Sequence, residues 1–358
     1  MRKWIIFLMT ILCVVAAKAA PKESLLDLPE GTGLPLLVNV GISFIEVSTI
    51  NENEGAFEAT IELRLRWRDL RLRFPKNETA TGYKDYRNSD ADAQMQAMWI
   101  PSYDLVNMDG ESSGVRYGIR INHDGSVEML HRLTGRFKAN FNVERFPFDY
   151  QSLSVDFQSH KLNDERLKFQ LTQEELEFSR PPGKMEVTGW RNGLVTMKNQ
   201  STASWYGERN SGIMASLVVQ RDPSSTYGII FLPLLASLLI PLMVVWLNQA
   251  EIGGFKVEAF ELTNISIGGL FAVVALNFTI LSSFGTLAGS SNCVNQLFTL
   301  NYFALGMSFV VNIVLYKFNV VARWYGDEVQ AEFYRYVNWA MPALILIGTV
   351  VIMLYAML

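Results

Sequence analysis

"FEATIELRLRWRDLRLRF", residues 57–74, decides how the first half of the chain is read. From Phe57 to Arg68 apolar and polar residues alternate. Ile61, Leu63, Leu65 and Trp67 take one face, and Glu62, Arg64, Arg66 and Arg68 take the other. A period of two with one apolar face predicts a half-buried strand, because successive side chains leave a pleated backbone on opposite sides. After Asp69 the apolar parity changes to Leu70, Leu72 and Phe74, which predicts a bulge or bend.

Similar short runs occupy Val38–Val47, Val115–Asn122, Ser126–Leu133, Arg136–Phe141, Leu153–Phe157, Leu167–Leu171, Gly193–Met197 and Ile213–Gln220. Turn-forming Asn122-His123-Asp124-Gly125 and Pro181-Pro182-Gly183 lie between them, as expected where chains reverse. About nine or ten strands at this spacing predict an immunoglobulin-like antiparallel β-sandwich, spanning residues 20–222.

Charge is placed unevenly. The 358 residues are 49% hydrophobic and 18% charged with a net charge of −4, too near balance for a nucleic-acid binder, which needs a concentrated basic face. Nearly all charge falls in residues 22–222, and 223–358 reads as a membrane domain. Stretches at 227–247, 260–281, 294–318 and 336–358 have the roughly 20 residues a bilayer crossing needs. Residues 1–19 read as an export signal: Arg2 and Lys3, an apolar run, then Ala17-Lys18-Ala19. Export puts the sandwich and the C-terminus on the outer side of a bacterial inner membrane. Lys256, Lys317, Arg323 and Arg335 then lie inside, as the positive-inside rule asks.

The second of these stretches is unusually polar. It carries Glu258 and Glu261 at its inner end, then Thr263, Asn264 and Ser266, and later Asn277. Lipid penalises such groups, so they face protein or water. Thr263, Ser266/Ile267, Leu270, Val273/Val274 and Asn277 recur at helical spacing. That stripe reads either as the lining of an ion path or as a helix–helix contact with Gly268-Gly269 at its closest point. One such helix cannot enclose water, so an ion path implies a cyclic homo-oligomer.

Other classes find little support. Outside the signal Cys293 is the lone cysteine, and His123, His131 and His160 are the only histidines, so neither disulfides nor a zinc site is expected. No catalytic pattern or cofactor motif stands out. The competing reading is a non-conducting sensor anchored by four helices.

Five segments carry a resemblance: "RWRDLRL" (66–72), "MWIPSYDLVN" (98–107), "DGSVEML" (124–130), "RFPFDYQSL" (145–153) and "VTGW" (187–190). Together they resemble the pentameric ligand-gated ion channels, or Cys-loop receptors, and are most similar to bacterial members, including a proton-gated one. The cysteines that name the animal receptors would fall at Ala139 and Leu153, so that disulfide is absent.

The resemblance implies a homopentamer around a central pore, in contact with membrane lipid and conducting monovalent cations. It implies that Phe146, Pro147, Phe148 and Asp149 hang from the sandwich onto the membrane domain, with Asp149 paired to Arg221. It places Glu261 or Glu258 as an inner carboxylate ring, Thr263 as the next polar ring and Leu270 as the hydrophobic gate, with Ser266, Ile267, Val274 and Asn277 also lining. An amine agonist would meet Glu62, Tyr103, His160, Trp205 and Tyr206. Control by protons would instead use Glu46, Glu52, Glu54 or His160, since histidine and clustered carboxylates change charge readily.

Overall fold

The computed structural model describes residues 24–29, 31, 33–181, 185, 187–251, 254–255 and 257–357. The expected export signal, most of the Pro-Pro-Gly turn and Lys256 lie outside these residues.

Ten strands build the first domain: β1 Leu36–Asn51, β2 Ala56–Arg68, β3 Tyr83–Arg87, β4 Tyr103–Leu105, β5 Ser113–Asn122, β6 Ser126–Lys138, β7 Tyr150–Ser159, β8 Leu167–Gln170, β9 Trp190–Ala203 and β10 Arg209–Arg221. They form a six-stranded sheet, β3-β5-β6-β2-β1-β8, and a four-stranded sheet, β4-β7-β10-β9. All ladders are antiparallel except β1–β8. The alternation in β2 is realised: Phe57, Ala59, Ile61, Leu63, Leu65 and Trp67 enter the core, where they join Phe44, Phe137, Phe157, Phe169 and Leu217 from both sheets.

The parity change after Asp69 is a strand end rather than a bulge. Asp69 caps a one-turn helix, Leu70–Leu72, by accepting from the Arg71 backbone N–H at 3.0 Å. The two runs expected at 126–133 and 136–141 are one strand, β6, because Gly135 continues the ladder opposite Ala59. β3 and β4 were not foreseen; β3 is a polar edge strand and β4 is only three residues long.

Two short helices, α1 Ser89–Ala97 and α2 Gln173–Phe178, lie on the sandwich. α2 docks through Glu175, fully buried, which accepts from Arg64 Nε at 2.7 Å and Arg66 Nε at 2.5 Å. Gly41 of β1 makes room, since a Cβ there would stand 2.8 Å from Glu175 Oε2.

Among the described residues four helices are long and apolar enough to cross a membrane: α3 Tyr227–Trp246, α4 Ala259–Ser283, α5 Cys293–Lys317 and, after a short α6 Val320–Tyr325, α7 Asp327–Met357. Between α3 and α4 lies a small hairpin, β11 Ala250–Glu251 with β12 Gly254–Phe255. Its Phe255 ring packs edge-on against Tyr316 and Tyr334, which anchors the hairpin to α5 and α7. Trp246 donates its indole N–H to the Asn338 carbonyl at 3.2 Å, tying α3 to α7 at that level.

Candidate functional site

Two regions concentrate the residues singled out above: the junction between sandwich and helices, and the surface of α4.

At the junction the segment from β6 to β7 makes a tight turn with a cis Phe146–Pro147 bond. Phe146 is buried among Ile230, Phe231, Leu287, Cys293 and Val294, so its ring belongs to the helical core rather than to the sandwich; Phe148 packs against the same cluster. Asp149 lies at the start of β7 beside the end of β10. Arg221 donates to it twice, Nε to Oδ1 at 2.7 Å and Nη2 to Oδ2 at 3.0 Å. Gln151 adds a bond to Oδ2 at 2.5 Å. The third side of the guanidinium meets Glu52 from the β1–β2 loop, at 2.8 Å. Its faces cover Phe146 and Trp190, with centroid distances of 4.8 and 4.3 Å.

The side chains of Arg221 and Asp149 are 8% and 2% exposed. Burial pulls the Arg221 guanidinium pKa down, but hydrogen bonds to Asp149 and Glu52 outweigh it and hold the pKa above its ordinary value. The same loop as Glu52 reaches the helices through Asn53, which accepts from the Thr286 N–H at 3.2 Å and donates to the Ser283 carbonyl at 3.5 Å. Two loops of the sandwich therefore sit on the α4–α5 link.

On α4 the packed face is Leu262, Ser266, Gly269, Val273 and Ile280. The expected stripe runs beside this face and shares Ser266 with it. Ser266 is buried and donates to the Leu262 carbonyl at 3.0 Å. Thr263 accepts from Asn312 of α5 at 2.8 Å, and Asn277 donates to the Tyr302 hydroxyl of α5 at 3.1 Å. A hydroxyl or amide in an apolar layer gains most from a protein partner; Thr263 and Asn277 find theirs on α5, and Ser266 finds its own within α4. Leu270, although exposed, borders a cavity between α4 and α5 with Tyr302, Leu305, Gly306 and Phe309. The expected stripe is thus rotated about a quarter turn from the direction opposite the packed face.

That opposite direction presents Phe260, Asn264, Gly268, Phe271, Ala275, Phe278 and Ser282, all exposed. The three phenylalanines are 72, 70 and 74% exposed, large values for apolar rings on a helix that packs well elsewhere. Ile267 and Val274 flank this face. Glu258 precedes the first turn of α4 and Glu261 lies in it, both exposed. Sequence reasoning missed the phenylalanine row because polar residues drew attention to the other side; the spacing 260, 271, 278 held the signal.

The agonist residues do not converge within one chain. Tyr103 turns its hydroxyl into the sandwich, onto Nδ1 of buried His131. Burial also raises the Tyr103 pKa. Glu62, on the outer face of β2, pairs with Arg132 at 2.6 Å. His160 bonds Asp104 at 2.5 Å. Trp205 and Tyr206 stand exposed on the β9–β10 loop, with Tyr206 at φ 56°. Among the proton candidates Glu52 is tied to Arg221, Glu54 pairs with Arg136 at 2.5 Å, and Glu46 is exposed on β1.

Comparison with known proteins agrees with this architecture. The neurotransmitter-gated ion-channel ligand binding domain matches residues 26–223. The proton-gated ion channel of Gloeobacter violaceus is 25% identical over 218 residues, 61% of this chain and 58% of that protein. The rat gamma-aminobutyric acid receptor subunit rho-3 is 27% identical over 139 residues, covering 38% and 29%, and the mouse acetylcholine receptor subunit gamma is 26% identical over 196, covering 52% and 36%. The matched regions thus span less than two thirds of each relative's length. With a ligand-binding sandwich seated by two loops on four membrane-length helices, the chain belongs to the pentameric, neurotransmitter-gated ion channel family.

Proposed function

We propose that this chain assembles as a homopentamer and conducts monovalent cations along the open face of α4. The observation that carries the proposal is that face itself. It holds Phe260, Asn264, Gly268, Phe271, Ala275, Phe278 and Ser282 while α3 and α5 occupy the opposite side. Copies arranged about an axis bring these positions together, and the Phe271 rings replace Leu270 as the apolar constriction that empties of water when narrow.

Carboxylates give the ion preference. Glu258 and Glu261 are exposed at the end of α4 far from the sandwich, where a ring of negative charge attracts cations and repels anions. Sensing belongs to the sandwich, and its message passes through the Asp149–Arg221–Glu52 cluster and the Asn53 contact. A charge cluster that joins three segments changes energy sharply when one of them moves.

For the stimulus, the relatives are described as a proton-gated channel and as receptor subunits for gamma-aminobutyric acid and acetylcholine. Here Glu62 lies on the six-stranded sheet, whereas His160, Trp205 and Tyr206 follow strands of the other sheet. An amine held by all four would sit between neighbouring subunits, with the ammonium against the Trp205 and Tyr206 rings. Protons are the alternative stimulus.

The deciding experiment is current recorded from purified protein in planar bilayers under pH steps and small amines. A reversal potential following the cation gradient is expected, and Glu258→Gln with Glu261→Gln together should abolish that preference. Protein that stays silent under every stimulus, yet is pentameric and folded, would return the assignment to a non-conducting sensor.

A further inference from the structure

The outer end of α5 meets the Phe-Pro-Phe-Asp turn through a thiol. Cys293, the first residue of α5, is buried, and its Sγ–H donates to the carbonyl oxygen of Phe146 at 2.9 Å. The helix start is itself held rigidly. Asn292 accepts from the Asn295 N–H at 3.0 Å and donates to the Leu287 carbonyl at 2.9 Å, while Asn295 reaches the same carbonyl at 2.6 Å. The α4–α5 link and the first turn of α5 therefore form one block.

On the other side of the contact, Phe146 is the residue whose ring lies under Arg221 and 6.4 Å from Phe284 at the end of α4. The turn keeps its own shape through Phe146 N–H to the Val143 carbonyl at 3.1 Å and Phe148 N–H to the Arg145 carbonyl at 2.7 Å. Beside the packing of the Phe146 ring, an S–H···O hydrogen bond thus links the sandwich's descending turn to the block that carries α5.

We propose that Cys293 is a positioning residue for gating: its thiol holds the Phe146 carbonyl and so fixes the height of the turn relative to the α4–α5 link. A buried carbonyl requires a donor, and a thiol is a weak one. That combination suits a joint that is made in one state and released in another. Serine keeps a donor at the same place, and alanine has none. The proposal rests on the channel reading above.

The test uses the full chain with Cys293→Ala and Cys293→Ser. Amide hydrogen exchange at Arg145, Phe146 and Phe148 should quicken at least about threefold in Cys293→Ala, as expected for a lost bond, and stay near wild type in Cys293→Ser. In bilayers the half-maximal stimulus should move at least about threefold in Cys293→Ala and return with Cys293→Ser. If either substitution fails to assemble, the isosteric pair Cys293→Val and Cys293→Thr makes the same comparison. Unchanged exchange in the alanine variant overturns the contact. So does a serine variant displaced as far as alanine, and a loosened turn with an unmoved activation curve overturns the gating role. Wild-type protein that never conducts defeats the channel reading instead, and exchange at the turn still decides whether the thiol holds it.

Discussion

Arg221 binds Asp149 with two parallel N–H···O bonds of 2.7 and 3.0 Å while its remaining nitrogen holds Glu52 at 2.8 Å. The two acids are not equivalent. Asp149 is almost wholly enclosed, whereas the Glu52 side chain keeps 16% of its surface. Removing Asp149 strands a buried guanidinium, so Asp149→Asn should cost about 3 kcal/mol and Glu52→Gln about 1 kcal/mol. Thermal unfolding of the two variants in one detergent checks the order, and equal losses would contradict it.

The pore register proposed for α4 is tested by a pair of truncations. Phe271→Ala removes a ring from the open face and should leave a current that flows without stimulus. Leu270→Ala widens the cavity beside Tyr302 from a half-exposed position and should destabilise by no more than about 1 kcal/mol, without such a leak. A leak in Leu270→Ala and none in Phe271→Ala would restore the stripe read from spacing.

Acid should weaken the sandwich through His131. Its imidazole is buried between Tyr103 and Tyr117, and burial lowers its pKa from 6.5 to about 4. Between those pH values the unfolded chain holds the extra proton, so stability falls as pH drops through that window and levels off below it. The total is on the order of 3 kcal/mol. His131→Phe should flatten this acid limb in unfolding midpoints measured from pH 7 to pH 4, whatever it does to stability at neutrality.

Gly269 and Gly268 make opposite predictions although adjacent. A Cβ on Gly269 would stand 2.5 Å from Ile240 Cγ2 and 3.3 Å from Leu305 Cδ2, whereas one on Gly268 meets nothing within 4 Å. Gly269→Ala should force α3 from α4 at about 1–3 kcal/mol, and Gly268→Ala should be neutral to folding. Melting curves of both variants suffice, and a harmless Gly269→Ala would show that the contact yields.

Glu175 offers a further check on how α2 is fastened. Glu175→Gln leaves Arg64 facing no full carboxylate on α2, because Glu174 contributes only its carbonyl to that side chain, and loses one of the two carboxylates held by Arg66. A loss of about 3 kcal/mol and earlier proteolysis near residues 173–178 are expected.

Much of the fold was legible because its signals are local. The alternation of β2 and the lengths of the four apolar stretches each follow from one element's own burial. The family followed from the combined Trp-x-Asp, Trp-x-Pro and Phe-Pro-Phe-Asp segments. Which polar residues of α4 meet α5 was not legible: Thr263 and Asn277 are polar whether they meet water or α5, and only the position of Asn312 and Tyr302 decides. The inward turn of the Tyr103 hydroxyl was equally hidden. An aromatic hydroxyl suits a ligand site equally well as a core, and the deciding partner, His131, lies on a different strand.

The length of α7 has its own consequence. Thirty-one residues at a rise of about 1.5 Å make a rod of about 46 Å, against a hydrocarbon layer of about 30 Å. Trp246 is fastened to Asn338, and its neighbour Trp339 is exposed, so indoles mark the headgroup level there. The surplus of about 16 Å falls toward Asp327–Arg335, where Gln330 and Tyr334 fasten the rod to its neighbours, so charge changes on the outer side of those turns should act on the aqueous contacts of that end and leave its anchorage alone.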